Sequence, residues 1–189
     1  MFHASHDDKN SDLFDYLSYG PFNSIDEYKL WMNTGSYTHP DTTIYVVRNR
    51  SSSSQLSHSD VEAWGDVVGV CGYLAHSPSH KHVELGHLWI TPAWQRTHVN
   101  TEMCYLMLKY AFDVLGYVRV EWKTDIRNEK SQRAAKRLGF VQEGVFRKHR
   151  IGKSGVSDSV YFSMVDDEWP QRRNWLESKL ESAAFAYTC

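Results

Sequence analysis

Residues 117–126, YVRVEWKTDI, alternate without interruption. Val118, Val120, Trp122, Thr124 and Ile126 fall on one parity, and Arg119, Glu121, Lys123 and Asp125 on the other. A period of two describes a strand with one buried face, and such a strand needs neighbours in a sheet and a layer to cover its apolar side. The covering layer is written on both sides of it. Upstream, Met103, Leu106, Met107, Tyr110, Ala111 and Val114 recur at helical spacing before Gly116. Downstream, NEKSQRAAKRLG reads as a second helix, with Asn128 as N-cap and Gly139 just past its end. Helix, strand and helix in succession imply an α/β fold.

The remaining elements follow from local signals. SIDEYKLWMNTG gives a short helix over 25–34 with Ser24 as its cap and Gly35 as its stop. Strands are expected at 42–49, 66–75, 82–90, 140–150 and 157–165, the last two flanking the turn GKSG, and a helical extension at 166–189. Between the first two strands the polar run 51–60, SSSSQLSHSD, reads as a mobile loop. All of this fits one domain, 1–189.

With a net charge of −2, the chain carries no basic field of the kind that binds nucleic acid or anionic membranes. No apolar run approaches the ~18–20 residues of a membrane span, and MFHASHDDKN lacks the apolar centre of a signal peptide, so a soluble, cytoplasmic protein is expected. Cys71, Cys104 and Cys189 are odd in number and far apart, which suits reduced thiols. His76, His80 and His82 lack the spacing of metal ligands and read as solvated, so no metal is expected.

Residues 88–108, LWITPAWQRTHVNTEMCYLML, join an apolar strand to a helix through a short polar segment, with Asn100 as the apparent cap. Free N–H groups and the positive end of a helix dipole at such a junction suit a phosphate, although many strand-to-helix loops are plain connectors. Local physics leaves both readings open.

The order strand, WQRTHVNTE, helix, NEKSQRAAKRLGFVQEGVFR and a hairpin ending DSVYFSMVDDEW resembles the GNAT N-acetyltransferase superfamily, in particular its RimJ/RimL-like branch, over about residues 12–170. The resemblance implies a mixed, mostly antiparallel central sheet flanked by helices. It also implies transfer of an acetyl group from acetyl-CoA to a primary amine, of a protein N-terminus or a small molecule, by direct attack in a ternary complex. The family's pyrophosphate loop maps to Gln95, Arg96, Thr97, His98, Val99 and Asn100, running into Thr101. His98 stands where the family has glycine, and a positive φ there would cost ~1–2 kcal/mol.

By the same resemblance, backbone at Trp89, Ile90 and Thr91 holds the pantetheine arm, assisted by Asn128, and Arg137 in the basic second helix meets the adenosine 3′-phosphate. Ser131 is the candidate acid for the departing thiolate, because Ala135 stands where other members place a tyrosine. Glu84 is the candidate base, and strand alternation puts His87 on the opposite face. Trp31 and Trp89 are candidates for the acceptor wall. The different reading, a non-catalytic acyl-CoA-binding or interaction module, is motivated by His98 and the unsettled base. Residues 2–22 match the end of the family's first helix, so its first strand is missing and 42–49 is expected at a sheet edge, open to homodimerisation.

Overall fold

The structure, a computed structural model, describes residues 1–6, 12–34, 38–50 and 64–186. The 51–60 loop, Gly35 and Cys189 lie outside the described residues. The elements are α1 (Phe2–Ser5), α2 (Ile25–Thr34), β1 (Thr43–Arg50), β2 (Trp64–Ser77), β3 (His82–Ile90), α3 (Val99–Lys109), β4 (Arg119–Asp125), α4 (Glu129–Leu138), β5 (Val141–Gly152), β6 (Gly155–Val165) and α5 (Trp169–Ala186). A single sheet runs β1-β2-β3-β4-β6-β5, and every adjacent pair is antiparallel except β3 with β4. β1 lies at one edge, the position expected for 42–49.

β4 alternates as its sequence does: Val120, Trp122 and Thr124 are buried, whereas Arg119, Glu121, Lys123 and Asp125 are half-buried. Its apolar side faces the main core, where Met103, Cys104, Met107 and Leu108 of α3 and Ala111 just beyond it pack with Val83, Leu85, Val120, Phe162 and Met164 of the sheet. Each such side chain withdrawn from water stabilises by ~1.5–3 kcal/mol. A π-helical turn, Tyr110–Val114, continues α3 and matches the periodicity that the sequence carries to Gly116. α5 closes this layer through buried Trp169 and Leu176, with the Trp169 indole donating to Asp113 at 2.6 Å and Tyr105 donating to Glu177 at 2.7 Å. Burial pushes the Cys71 thiol up to about 12, and among the described residues neither Cys71 nor Cys104 is in a disulfide.

A second, aromatic cluster is built from the N-terminal segment, where Phe14, Tyr19, Phe22, Tyr28 and Trp31 stack at 4.3–6.4 Å in a chain of contacts. α2 enters it through a capping box: Ser24 Oγ accepts from Glu27 N–H at 3.1 Å, and Glu27 Oε2 accepts from Asn23 N–H at 2.8 Å. The cluster is tied to the far end of the chain by Lys153, whose ammonium donates to the carbonyls of Phe14 at 2.8 Å and Tyr19 at 2.7 Å.

The last hairpin departs from the sequence reading at its turn. β5 and β6 extend into GKSG until Gly152 pairs with Gly155, leaving a two-residue turn rather than four. α4 ends as expected: Gly139 adopts φ 100° and its N–H bonds the carbonyls of Ala135 and Lys136. A Cβ at Gly139 would fall 2.0 Å from Arg172 Nε. Gly139→Ala is therefore expected to lower stability by ~1–2 kcal/mol through left-handed strain alone, measured by urea unfolding. Undiminished stability would mean the cap tolerates a right-handed alternative.

Candidate active site

The parallel pairing of β3 with β4 covers three positions, His82 with Arg119, Val83 with Val120 and Glu84 with Glu121. Beyond them β3 continues to Ile90 and β4 to Asp125. The cause is a bulge in β3: Gly72 pairs with Gly86 and Val70 with Trp89, so three steps on β3 oppose two on β2, and His87 takes φ 51°. A bulge bends its strand, and here it leaves the two strands without further ladder pairs, opening a cleft between them. Thr91 N–H is committed to Val68 O on the β2 side at 2.9 Å, while Ile90 O accepts from the Gln95 side chain at 3.0 Å. Gln95 thus braces the loop against the strand. Trp89 is buried outside the main core cluster that contains Ile90.

At the open end of β3 the loop turns into α3. The left-handed residue is Arg96, at φ 62°; His98 sits at φ −69°, ψ −18° and occupies the N-cap position of a helix that starts at Val99. Two expectations are corrected here. Asn100 is not the cap, because the helix begins one residue earlier, and His98 carries no positive-φ strain, because the turn is made two residues upstream. No side chain caps this helix, although Thr97 Oγ1 accepts from Val99 N–H at 3.3 Å, so its first turn presents N–H groups and the positive dipole end. Arg137 reaches across from α4 to donate to Thr101 Oγ1 at 2.6 Å, placing a guanidinium on that first turn. An uncapped helix start, a left-handed turn and an arginine together fit a pyrophosphate.

The other wall of the cleft is the start of α4. Asn128 Oδ1 accepts from Ser131 N–H at 3.0 Å, the expected cap. Ser131 Oγ in turn accepts from the indole of buried Trp122 at 2.9 Å. That bond uses an oxygen lone pair and leaves the hydroxyl proton to be directed elsewhere. Sequence reasoning took Trp122 as core alone; the signal was available, since a buried indole N–H needs an acceptor.

Below the cleft runs a line of ion pairs on the polar face of the sheet. Glu84 meets Lys123 at 3.0 Å, Lys123 meets Glu121 at 2.9 Å, and Arg119 joins Glu121 at 2.9 Å to Glu143. Burial pushes the Glu84 carboxyl above its usual range and outweighs the opposing pull of Lys123. Lys123 lies on the polar parity of β4, and the parallel register, invisible in the sequence, brings it to Glu84. His87 is lowered to about 4, by burial first and then by Arg150, which also acts on Glu84. Val83 and Leu85 face the core before the bulge and Ile90 after it, with Trp89 outside, so one step of alternation is cancelled and Glu84 and His87 do not diverge to opposite faces as expected. His87 also lies 5.2 Å from the ring of Tyr19, which stacks on Trp31 at 4.3 Å. His76 bonds Tyr117 and His80 stacks with His82, and among the described residues no three potential ligands gather for a metal.

A sheet opened between two parallel strands, with a phosphate-competent helix start at one lip and a polar helix start at the other, is the architecture of acyl-CoA-dependent transferases. Residues 9–141 match the acetyltransferase (GNAT) domain family, and the chain belongs to it: it is an acyltransferase of the N-acetyltransferase type that uses an acyl-CoA. Among relatives, it is 31% identical over 143 residues, 67% of this chain and 78% of the other, to the Bacillus subtilis (strain 168) protein named "Putative ribosomal N-acetyltransferase YdaF". That name accords with the RimJ/RimL-like branch. Among solved structures, a GCN5-related N-acetyltransferase from Brucella melitensis superposes with a TM-score of 0.81 at 29% identity, covering 94% of this chain and 74% of that one. A GNAT-family protein from Chromobacterium violaceum gives 0.74 at 35% identity, covering 89% and 77%.

Two outcomes follow from these geometries. Arg96→Gly relieves a left-handed non-glycine residue and is expected to raise stability by about 1 kcal/mol, whereas His98→Gly, at a right-handed position, gives no gain; thermal unfolding of both variants decides this. A stabilising His98→Gly would reverse the assignment of the turn.

On acidification, stability is expected to fall in two stages. His87, depressed to about 4 in the folded chain, contributes stability above pH 6.5 that is lost as pH falls towards 4. Glu143 and Asp125, both held at about 2 by their hydrogen bonds to Arg119 and Arg127, contribute stability above their ordinary values of 4.5 and 3.8 that is lost as pH falls towards 2. Melting curves of His87→Gln against pH should lack the upper stage, and its persistence would assign that stage to another group.

Proposed function

We propose that the protein transfers an acetyl group from acetyl-CoA to a primary amine by direct attack within a ternary complex. The observation that carries this reading is the cleft itself: one lip bears the α3 start with Arg137 on its first turn, and the other bears the Ser131 hydroxyl held by Trp122. Acetyl-CoA supplies the activated thioester. Around it, the chain's residues divide the work. Backbone of the α3 turn, from Arg96 to Thr101, receives phosphate, and the cleft edge of β3 at Trp89 and Ile90 receives the extended arm as an added strand would be received, while Thr91, its N–H bonded to Val68 and its carbonyl to Trp94, closes that edge. N–H groups along that edge are placed to stabilise charge developing on the acyl oxygen.

Ser131 acts as the acid. Its oxygen is occupied by the indole and its amide by Asn128, so its proton is the one free to pass to the departing sulfur. Glu84 acts as the base, through water, and burial favours that role because a carboxyl with a raised pKa accepts a proton more readily. An α-amine of pKa ~8 asks less of such a base than a lysine amine at ~10.4, which favours α-amines as acceptors. The binding-module reading loses half its motive, since His98 imposes no strain on the phosphate turn. A cytoplasmic setting, where acetyl-CoA is made and used, belongs to this proposal.

Binding calorimetry with acetyl-CoA, paired with thiol release over an amine panel, tests the reading, and binding without turnover would sink it. Ser131→Ala is expected to lower kcat by at least ~10-fold with acetyl-CoA affinity nearly unchanged, and Trp122→Phe to share part of that loss. An unchanged kcat in Ser131→Ala, with chemistry rate-limiting, would remove Ser131 from the acid role.

A further inference from the structure

The acceptor side of the cleft has a charge, and it is positive. β5 carries Phe146-Arg147-Lys148-His149-Arg150, and its register with β6 slips there: Phe146 pairs with Ser159 and Arg150 with Ser157, so four steps oppose two. Lys148 takes φ 50°, its N–H bonded to Asp158 at 2.7 Å, and His149 turns in to Ser159 Oγ at 2.9 Å. The slip decides where Arg150 points. Residues directly opposite in a ladder share a face, and Ser157, opposite Arg150, is two residues along β6 from Ser159, which pairs with Asp125 of the polar face of β4. Arg150 therefore stands on the face of Asp125, Lys123 and Glu84. No hydrogen bond or ion pair engages its exposed guanidinium among the described residues.

The neighbouring cations are already spent. Arg127 forks onto Asp125 at 2.9 and 2.7 Å, Lys123 lies between Glu84 and Glu121, and Lys153 is bound to the carbonyls of Phe14 and Tyr19. Lys153 and Arg127 also line a cavity of about 430 Å³ with Phe14, Tyr16 and Ser154. Its one lining carboxylate, Asp15, acts on Lys153. Among the described residues, Arg150 is the cation on the Glu84 face that stands outside these pairs.

Resting on the transfer reading above, we infer that the acceptor amine belongs to a molecule that also carries a carboxylate or phosphate, and that Arg150 receives this anion while the amine faces the cleft. A guanidinium binds such groups in a fork and orients them, which would fix the amine relative to Glu84 and Ser131. A polycationic amine meets repulsion at the same place. Arg150 is thus a specificity-determining residue, whose effect appears in the choice among acceptors.

The test holds acetyl-CoA saturating and compares kcat/KM for a seryl peptide followed by two acidic residues, its amide counterpart, its lysine counterpart, free glutamate, free glutamine and a linear polyamine. The acidic acceptors are expected to lead the cationic ones by at least about tenfold, the yield of one charge-assisted hydrogen bond. Glutamate against the acidic peptide tells a small molecule from a chain terminus. Arg150→Gln should collapse the spread, Arg150→Glu should invert it, and Arg150→Lys should restore part of it, chiefly through KM. Leadership by the polyamine, or Arg150 variants that lower every acceptor by one factor, would overturn the inference while leaving the transfer reading intact. No turnover with any amine despite acetyl-CoA binding would overturn both.

Discussion

Everything at the functional end of this molecule depends on a ladder that stops. Parallel strands β3 and β4 share only three paired positions, because one extra residue at His87 turns β3 away. Buried backbone groups left without a ladder partner are costly, and a chain tolerates them where a ligand or water can satisfy them. The extended arm of a CoA thioester offers that kind of satisfaction, amide for amide. Cleft and ligand are therefore two halves of one hydrogen-bonding problem, and the bulge is its cause.

Around that opening the chain sorts its two faces by chemistry. The apolar parity of β4 meets α3, where Val120 and Trp122 lie fully or nearly fully buried. The polar parity carries the line from Glu84 to Glu143, held together by charge and hydrogen bonds. Trp122 crosses between these worlds, since its ring is core and its N–H meets Ser131. A side chain fixed by packing on one side can hold a hydroxyl on the other with little freedom, which is how rigidity in the core reaches Ser131.

Features governed by near neighbours were legible in the sequence. Asn128, Gly139 and Ser24 were read as caps because a cap depends on three or four residues, and β4 was read from its own alternation. Features set by distant register were not. The meeting of Lys123 with Glu84 and the aim of Arg150 each follow from how one strand slides against another, and a single slip moves a side chain to the other face. The family resemblance put the strained residue of the β3–α3 loop at His98, whereas it is Arg96, since motif position carries identity and not torsion angles.

Lys153 holds the Phe14–Tyr19 segment from 139 and 134 residues away in sequence. Closing so long a loop is slow relative to local structure, and its entropy must be offset by contacts that form only at the end. The aromatic wall beside the cleft thus waits for the last hairpin. During synthesis, the Phe14–Tyr19 segment would emerge long before its anchor exists, and the aromatic cluster would be among the last parts of the protein to take shape. A chain caught partway through synthesis could pair β1 to β4 and still lack both the inner strand β6 and the anchor of this cluster.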